Sequence, residues 1–253
     1  MFELAYTAAG PEDGRPAILL HGLFDHWRSF APVLERLPAG VRAYALTQRG
    51  HTGGPQPDSG YAVADLAADA LGFLDARGAD RALLAGHSLG ALVALQAAID
   101  APERVSGLVL APGFAAGAAV PAIGELRAAV GERIEPEFAA MLQEEARRHG
   151  LFDAMVDHTV RMPARAARAL LDGIAAFDVR AALPRVRART LVLWGAQDEI
   201  VPRAEAERLA TGIPGAQLRV LDGCGHTPHW HDPLAFARAL SAWNLPRAGA
   251  VAP

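Results

Sequence analysis

An α/β fold is what this 253-residue sequence predicts: a mostly parallel sheet flanked by helices, with a helical cap inserted. Three observations carry the prediction. Short, nearly continuous apolar runs alternate with longer helical patterns, as crossover connections between parallel strands require. The runs have the length and composition of strands buried on both faces. The alternation then breaks between about 115 and 181, where no strand-like run occurs and the text turns helical (EPEFAAMLQEEARRHG, PARAARALLDGIAAF).

Strands are expected at 17–20, 43–46, 82–85, 107–110, 190–194 and 217–221, and helices near 28–37, 62–77, 89–101, 203–211 and 233–243. In the second of these helices Val63, Leu66, Leu71 and Leu74 fall on one stripe, as packing on a sheet requires. Pro202 precedes one helical pattern and Pro102 lies just beyond another. Residues 1–114 and 182–253 read as the core and 115–181 as the inserted cap. The Ala-rich stretch 115–122 reads as a mobile hinge, and the terminal AGAVAP as frayed.

Composition bounds the function. A net charge of −4, with arginines scattered and no lysine at all, gives no footprint for nucleic acid or an anionic membrane. The uncharged stretch 105–124 is broken by Pro112 and Pro121, and a buried strand running into a loop explains it better than a spanning helix. One cysteine, Cys224, allows no intramolecular disulfide, and no signal peptide is evident, so a cytoplasmic location is expected.

The strongest chemical signal is Gly86-His87-Ser88-Leu89-Gly90, which follows the run RALLA and opens the helical pattern ALVALQAAIDA. A nucleophile on a sharp strand-to-helix turn needs neighbours without side chains, and the helix N-terminus behind it aims free N–H groups at a reacting carbonyl. A serine hydroxyl needs a base, and the base an orienting acid. In this fold they follow the serine as acid and then histidine, each past a later strand. Asp198 after TLVLW and His226 after QLRVL meet that order; Glu199 and Asp222 are the rival acids. For the oxyanion, the backbone N–H groups of Leu89 and of Leu23, in His21-Gly22-Leu23, are the expected donors, with Phe24 the alternative to Leu23. Phe24, Trp27 and His87 are candidate pocket residues, although Trp27 reads equally as packing its own helix on the core, and His87 more readily as a polar neighbour.

The segments HGLFDHW, TQRGHTGG, GHSLG, LVLWGAQDEIVP and GCGHTPHWHDP resemble the successive signature segments of the α/β-hydrolase superfamily. The likeness is to its small cap-bearing esterases, lactonases and cofactor-free haloperoxidases, over roughly 15–114 and 182–243. The resemblance implies the same Ser88–His226–Asp198 triad and a lid over the pocket at 115–181. Thr47, Thr52, Gly54 and His231 depart from the residues common in such segments. The run His226-Thr-Pro-His229-Trp-His231 lacks an accompanying Asp/Glu/Cys cluster with ligand spacing, so neither metal nor cofactor is expected. The reaction expected is cleavage of a small ester or lactone through an acyl-enzyme. Carbon–carbon bond hydrolysis, an aminopeptidase using Glu135, Glu137, Glu144 or Glu145, and a non-catalytic small-ligand receptor are the alternatives. Substrate identity, oligomeric state and any role of His229 or His231 are not legible.

Overall fold

The computed structural model describes residues 2–148 and 150–241, the side chain of Glu145 excepted. Seven strands form one sheet: β1 (Tyr6–Ala9), β2 (Arg15–Leu20), β3 (Val41–Leu46), β4 (Ala82–His87), β5 (Val105–Ala111), β6 (Arg189–Gly195) and β7 (Gln217–Leu221). Their order is β1-β3-β2-β4-β5-β6-β7. Every pairing is parallel except β1 with β3. The helices in the first half of the core are α1 (Ala31–Leu34), α2 (Val63–Ala76) and α3 (Leu89–Asp100). Five more lie between β5 and β6: α4 (Pro121–Ala129), α5 (Pro136–Leu142), α6 (Glu144–Arg147), α7 (Phe152–Arg161) and α8 (Ala164–Ala176). The chain returns to the core for α9 (Arg203–Gly212), α10 (Pro228–His231) and α11 (Pro233–Ala239).

Alternation along the strands splits the core into two layers. Ile18, Leu20, Leu84, Leu108 and Leu110 face the side covered by α2, α3 and α9. Ala17, Leu19, Leu83, Ala85, Val109, Leu191 and Leu193 face Phe30, Val33, Phe236 and Leu240 on the other. Nearly all of α3 is buried, because it crosses the middle of the sheet beneath the helices that follow β5.

Several features differ from the sequence-based expectation. β1 was not expected: YTAA has no apolar run, being a half-exposed antiparallel edge. β7 is present but mostly exposed rather than buried on both faces, because it forms the other edge. The stretch expected to be a hinge is instead pinned. Ala116 bridges Asp178, Gly117 N donates to the Phe177 carbonyl at 2.8 Å, and Val179 N to that of Ala115 at 2.9 Å. A Cβ at Gly117 would stand 2.0 Å from the Ile174 carbonyl oxygen, so the neck is closely packed. The helix expected near 28–37 is a 3-10 turn, Trp27–Phe30, followed by the short α1. The helix expected to reach 243 is seen to Ala239; positions 242 and 243 and the frayed tail expected at 248–253 lie outside the described residues.

No helix among the described residues is long and apolar enough to cross a membrane. Arg49 and Asp69 form a buried ion pair: Arg49 Nε and Nη2 donate to Asp69 at 2.5 and 2.6 Å, tying the loop after β3 to α2. Removing one partner strands the other charge in the interior. Asp69→Ala is therefore expected to lower unfolding stability by about 3–5 kcal/mol, measured by urea denaturation of the variant beside wild type.

Candidate active site

The parallel register brings the ends of five strands together. Leu20 pairs with Gly86, His87 with Ala111, and Gly195 with Leu221. The loops leaving β2, β4, β6 and β7 carry the sequence-predicted residues to one rim, where open α/β sheets bind ligands.

Ser88 stands between β4 and α3 at φ 50°, ψ −118°, one of two non-glycine residues with positive φ among the described residues. Such a conformation costs on the order of 1–3 kcal/mol. Its N–H donates to the Ala111 carbonyl at 3.0 Å, and its carbonyl accepts from Ala91 and Leu92. Both flanking glycines are sterically required: a Cβ at Gly86 would lie 2.1 Å from the Gly90 oxygen, and one at Gly90 2.0 Å from the Leu20 oxygen. Gly22 has the same role for the neighbouring loop, where a Cβ would meet His87 Nδ1 at 2.8 Å.

Asp198 and His226 meet directly. His226 Nδ1 lies 3.2 and 3.1 Å from the two carboxylate oxygens, and the Asp198 side chain is fully buried. Ile200 N and Val201 N also donate to Oδ1, at 2.9 and 3.0 Å. The nearer oxygen, Oδ2, accepts a hydrogen bond from Nδ1–H, the tautomer that leaves the lone pair of His226 on Nε2. The loops are locked together: Gln197 N donates to the Cys224 carbonyl, and a Cβ at Gly195 would stand 2.2 Å from the Gly225 oxygen. His87 Nε2 donates to the His226 carbonyl at 2.9 Å, and Gly225 N donates to His231 Nδ1 at 3.1 Å. The rival acids Glu199 and Asp222 are exposed.

Ser88 and His226 line one cavity of about 500 Å³, with Leu23, Phe24, His87 and Leu89 in its wall. Neither the Leu23 nor the Leu89 N–H donates a backbone hydrogen bond to another described residue. Large apolar side chains from the segment between β5 and β6 close the far side, among them Ile123, Leu126, Phe138, Leu142 and Ile174. Trp27, expected as a possible pocket wall, is not part of the lining. It packs against the buried layer of Ala17, Leu19 and Phe30, because its 3-10 turn points it at the sheet. Glu135 pairs with Arg133 and Glu144 with Arg147, both on the surface. The acid of the segment between β5 and β6 that lies in the lining is Glu125.

Sequence reasoning missed Asp25, which is buried, lines the cavity and accepts from His26 N at 2.6 Å. Burial pushes its carboxyl up to about 7. An acid within the loop after β2 was the available signal. Asp25, His87 and His229 have ligand atoms within 4.8 Å of one another, the one such group among the described residues. His87 Nε2 donates to the His226 carbonyl, and its Nδ1 is buried with no hydrogen-bond partner among the described residues.

His21, His26 and His51 are also buried. His21 Nδ1 donates to the Gly22 carbonyl while its Nε2 accepts from Gln48 N, and His51 packs edge-on to it. Burial holds His21 and His87 well below the ordinary 6.5, and lowers His51 to about 4.

Residues 17–239 match the alpha/beta hydrolase family, and the chain belongs to that family. A Variovorax paradoxus protein provisionally named carbamate hydrolase RutD is 37% identical, covering 94% of each chain. A 2-hydroxy-6-oxononadienedioate/2-hydroxy-6-oxononatrienedioate hydrolase of Pseudomonas putida is 28% identical, over 94% of this chain and 90% of its own. The crystal structure of a thermophilic esterase from Thermogutta terrifontis superposes with a TM-score of 0.82 at 27% identity, covering 96% of this chain and 93% of that one. The protein is thus a hydrolase of the α/β family.

The buried imidazoles set an acid limit on stability. Their folded-state values lie below 6.5, so from about 6.5 down to about 4 the unfolded chain binds more protons than the native one, and stability falls as pH falls. Asp25, raised from 3.8 to about 7, acts in the opposite sense over that window, one carboxyl against the imidazoles of His21, His26, His51, His87 and His158. Melting temperature measured by calorimetry from pH 8 to 4.5 is expected to decline once pH passes below about 6.5.

Proposed function

We propose that the protein is a serine hydrolase cleaving a small ester or lactone, with Ser88 as nucleophile, His226 as base and Asp198 as its orienting acid. The observation that carries this reading is the convergence of Ser88 and an Asp198-bonded His226 in one apolar cavity of about 500 Å³. The Ser88 hydroxyl attacks the carbonyl while His226 Nε2 takes its proton, and the Leu23 and Leu89 N–H groups donate to the oxyanion. Collapse expels the leaving alcohol, which His226 protonates. The same imidazole then draws a proton from the water that hydrolyses the acyl-enzyme. Residues 115–181 act as the lid, supplying the apolar far wall.

The lining also bears on the alternatives. Its charged side chains are Asp25 and Glu125, with no arginine among the described lining residues. A dianionic substrate such as that named for the Pseudomonas putida relative would have no cation to pair with, which favours a neutral ester. The carbamate chemistry named for the Variovorax relative uses the same kind of carbonyl and is the second reading.

Chromogenic esters of increasing acyl length, with an aryl carbamate alongside, test the reading directly. Wild type is expected to turn over the short and medium esters, and a folded Ser88→Ala variant to lose at least about 10⁴-fold in kcat. Equal rates in the two proteins would remove Ser88 from the chemistry. Preference for the carbamate would move the assignment to that acyl class.

A further inference from the structure

The loop after β2 is held by the helices that cover the cavity as well as by the sheet. Phe24 is the second non-glycine residue at positive φ, 62°, and it directly follows Leu23, the amide assigned to the oxyanion. Its carbonyl accepts from Gln143 Nε2 at 2.8 Å and from Thr159 Oγ1 at 2.8 Å. Gln143 follows α5 and Thr159 lies in α7, so two separate elements of the inserted segment converge on one oxygen. Both donors are buried, and a second bond, Gln143 Nε2 to Thr159 Oγ1 at 3.0 Å, fixes them to each other.

Proton arithmetic makes Gln143 the dominant donor. The amide nitrogen has two protons, one for the Phe24 carbonyl and one for the Thr159 oxygen. The single hydroxyl proton of Thr159 is shared between the Phe24 carbonyl and its own helix, at Met155 O, 2.9 Å away. The next turn of contact reinforces the seat: His158 stacks on His26 at 3.7 Å between ring centroids, and its carbonyl accepts from Thr52 Oγ1 at 2.7 Å.

We infer that Gln143 and Thr159 are positioning residues for the oxyanion hole: by anchoring the Phe24 carbonyl they hold the strained loop that aims the Leu23 amide into the cavity. The inference rests on the serine-hydrolase reading. An unanchored Phe24 relaxes towards negative φ, which turns the Leu23–Phe24 peptide and, through the backbone of Leu23, shifts the Leu23 N–H off its aim. Seating of the inserted helices and assembly of the oxyanion hole are then one event, so the site is complete only while covered.

Gln143→Met and Thr159→Val, with Thr159→Ser as the hydroxyl-retaining control, test this on a short chromogenic ester. A trifluoromethyl ketone serves as the probe, because its Ser88 adduct places an oxyanion in the hole. Gln143→Met is expected to lower kcat roughly 10- to 100-fold with KM within about twofold, and to weaken ketone binding by a similar factor. Thr159→Val is expected to shift the same two quantities less, and Thr159→Ser to stay within about twofold of wild type. Unchanged kcat and ketone affinity, or a change confined to KM or to melting temperature, would overturn the inference. Should Gln143→Met fail to fold, Thr159→Val decides, since its hydroxyl touches the same carbonyl. A wild type inert to every ester and to the ketone would instead sink the serine-hydrolase reading, and the inference with it, before any variant is compared.

Discussion

The close approach of three backbone segments at the end of β4 is the constraint on which the rest of the site depends. Gly86, Gly90 and the Leu20 carbonyl are in such contact that a single methyl group at either glycine would overlap a backbone oxygen. That contact lets α3 begin directly behind the strand and holds Ser88 in a conformation it would not adopt alone. A second backbone contact, Gly195 against Gly225, does the same for the loops of Asp198 and His226. The proposed catalytic geometry is therefore set by main-chain packing, and the side chains inherit it.

This explains which parts of the molecule were legible in the sequence. Steric requirements for glycine are local and leave letters, so Gly86-x-Ser88-x-Gly90 and the loops after β6 and β7 could be placed from the residues alone. The long apolar runs of β2, β4, β5 and β6 were legible for the same reason: burial on both faces demands an unbroken run. Edges do not make that demand. β1 has no run to find, and β7 matches in extent but not in burial.

The illegible parts depend on partners distant in the chain. The Ala-rich stretch after Phe114 reads as flexible because alanine and glycine carry no sign of their neighbours, yet its backbone pairs with residues 177–179. Trp27 could face cavity or core until the turn of its 3-10 segment was known. Gln143 and Thr159 reach Phe24 across 119 and 135 residues, and nothing local distinguishes them from any other polar residue on a helix. Asp25 stood in plain sight, but its significance comes from enclosure, which composition does not encode.

The charge pattern of the cavity also governs the fate of the product. The proposed ester hydrolysis would turn a neutral acyl group into a carboxylate, and the acidic side chains facing that product would be the carboxyl groups of Asp25 and Glu125. Away from Ser88, His226 and the two amides proposed for the oxyanion, the walls are mainly apolar and offer a carboxylate no cation, so such a product would be held less well than the neutral reactant. Affinity for the neutral reactant comes from the apolar lining and is the smaller part of what the acid would need to stay. A pocket of this kind expels its own product, and accumulation of free acid around the protein would be a weak brake on turnover.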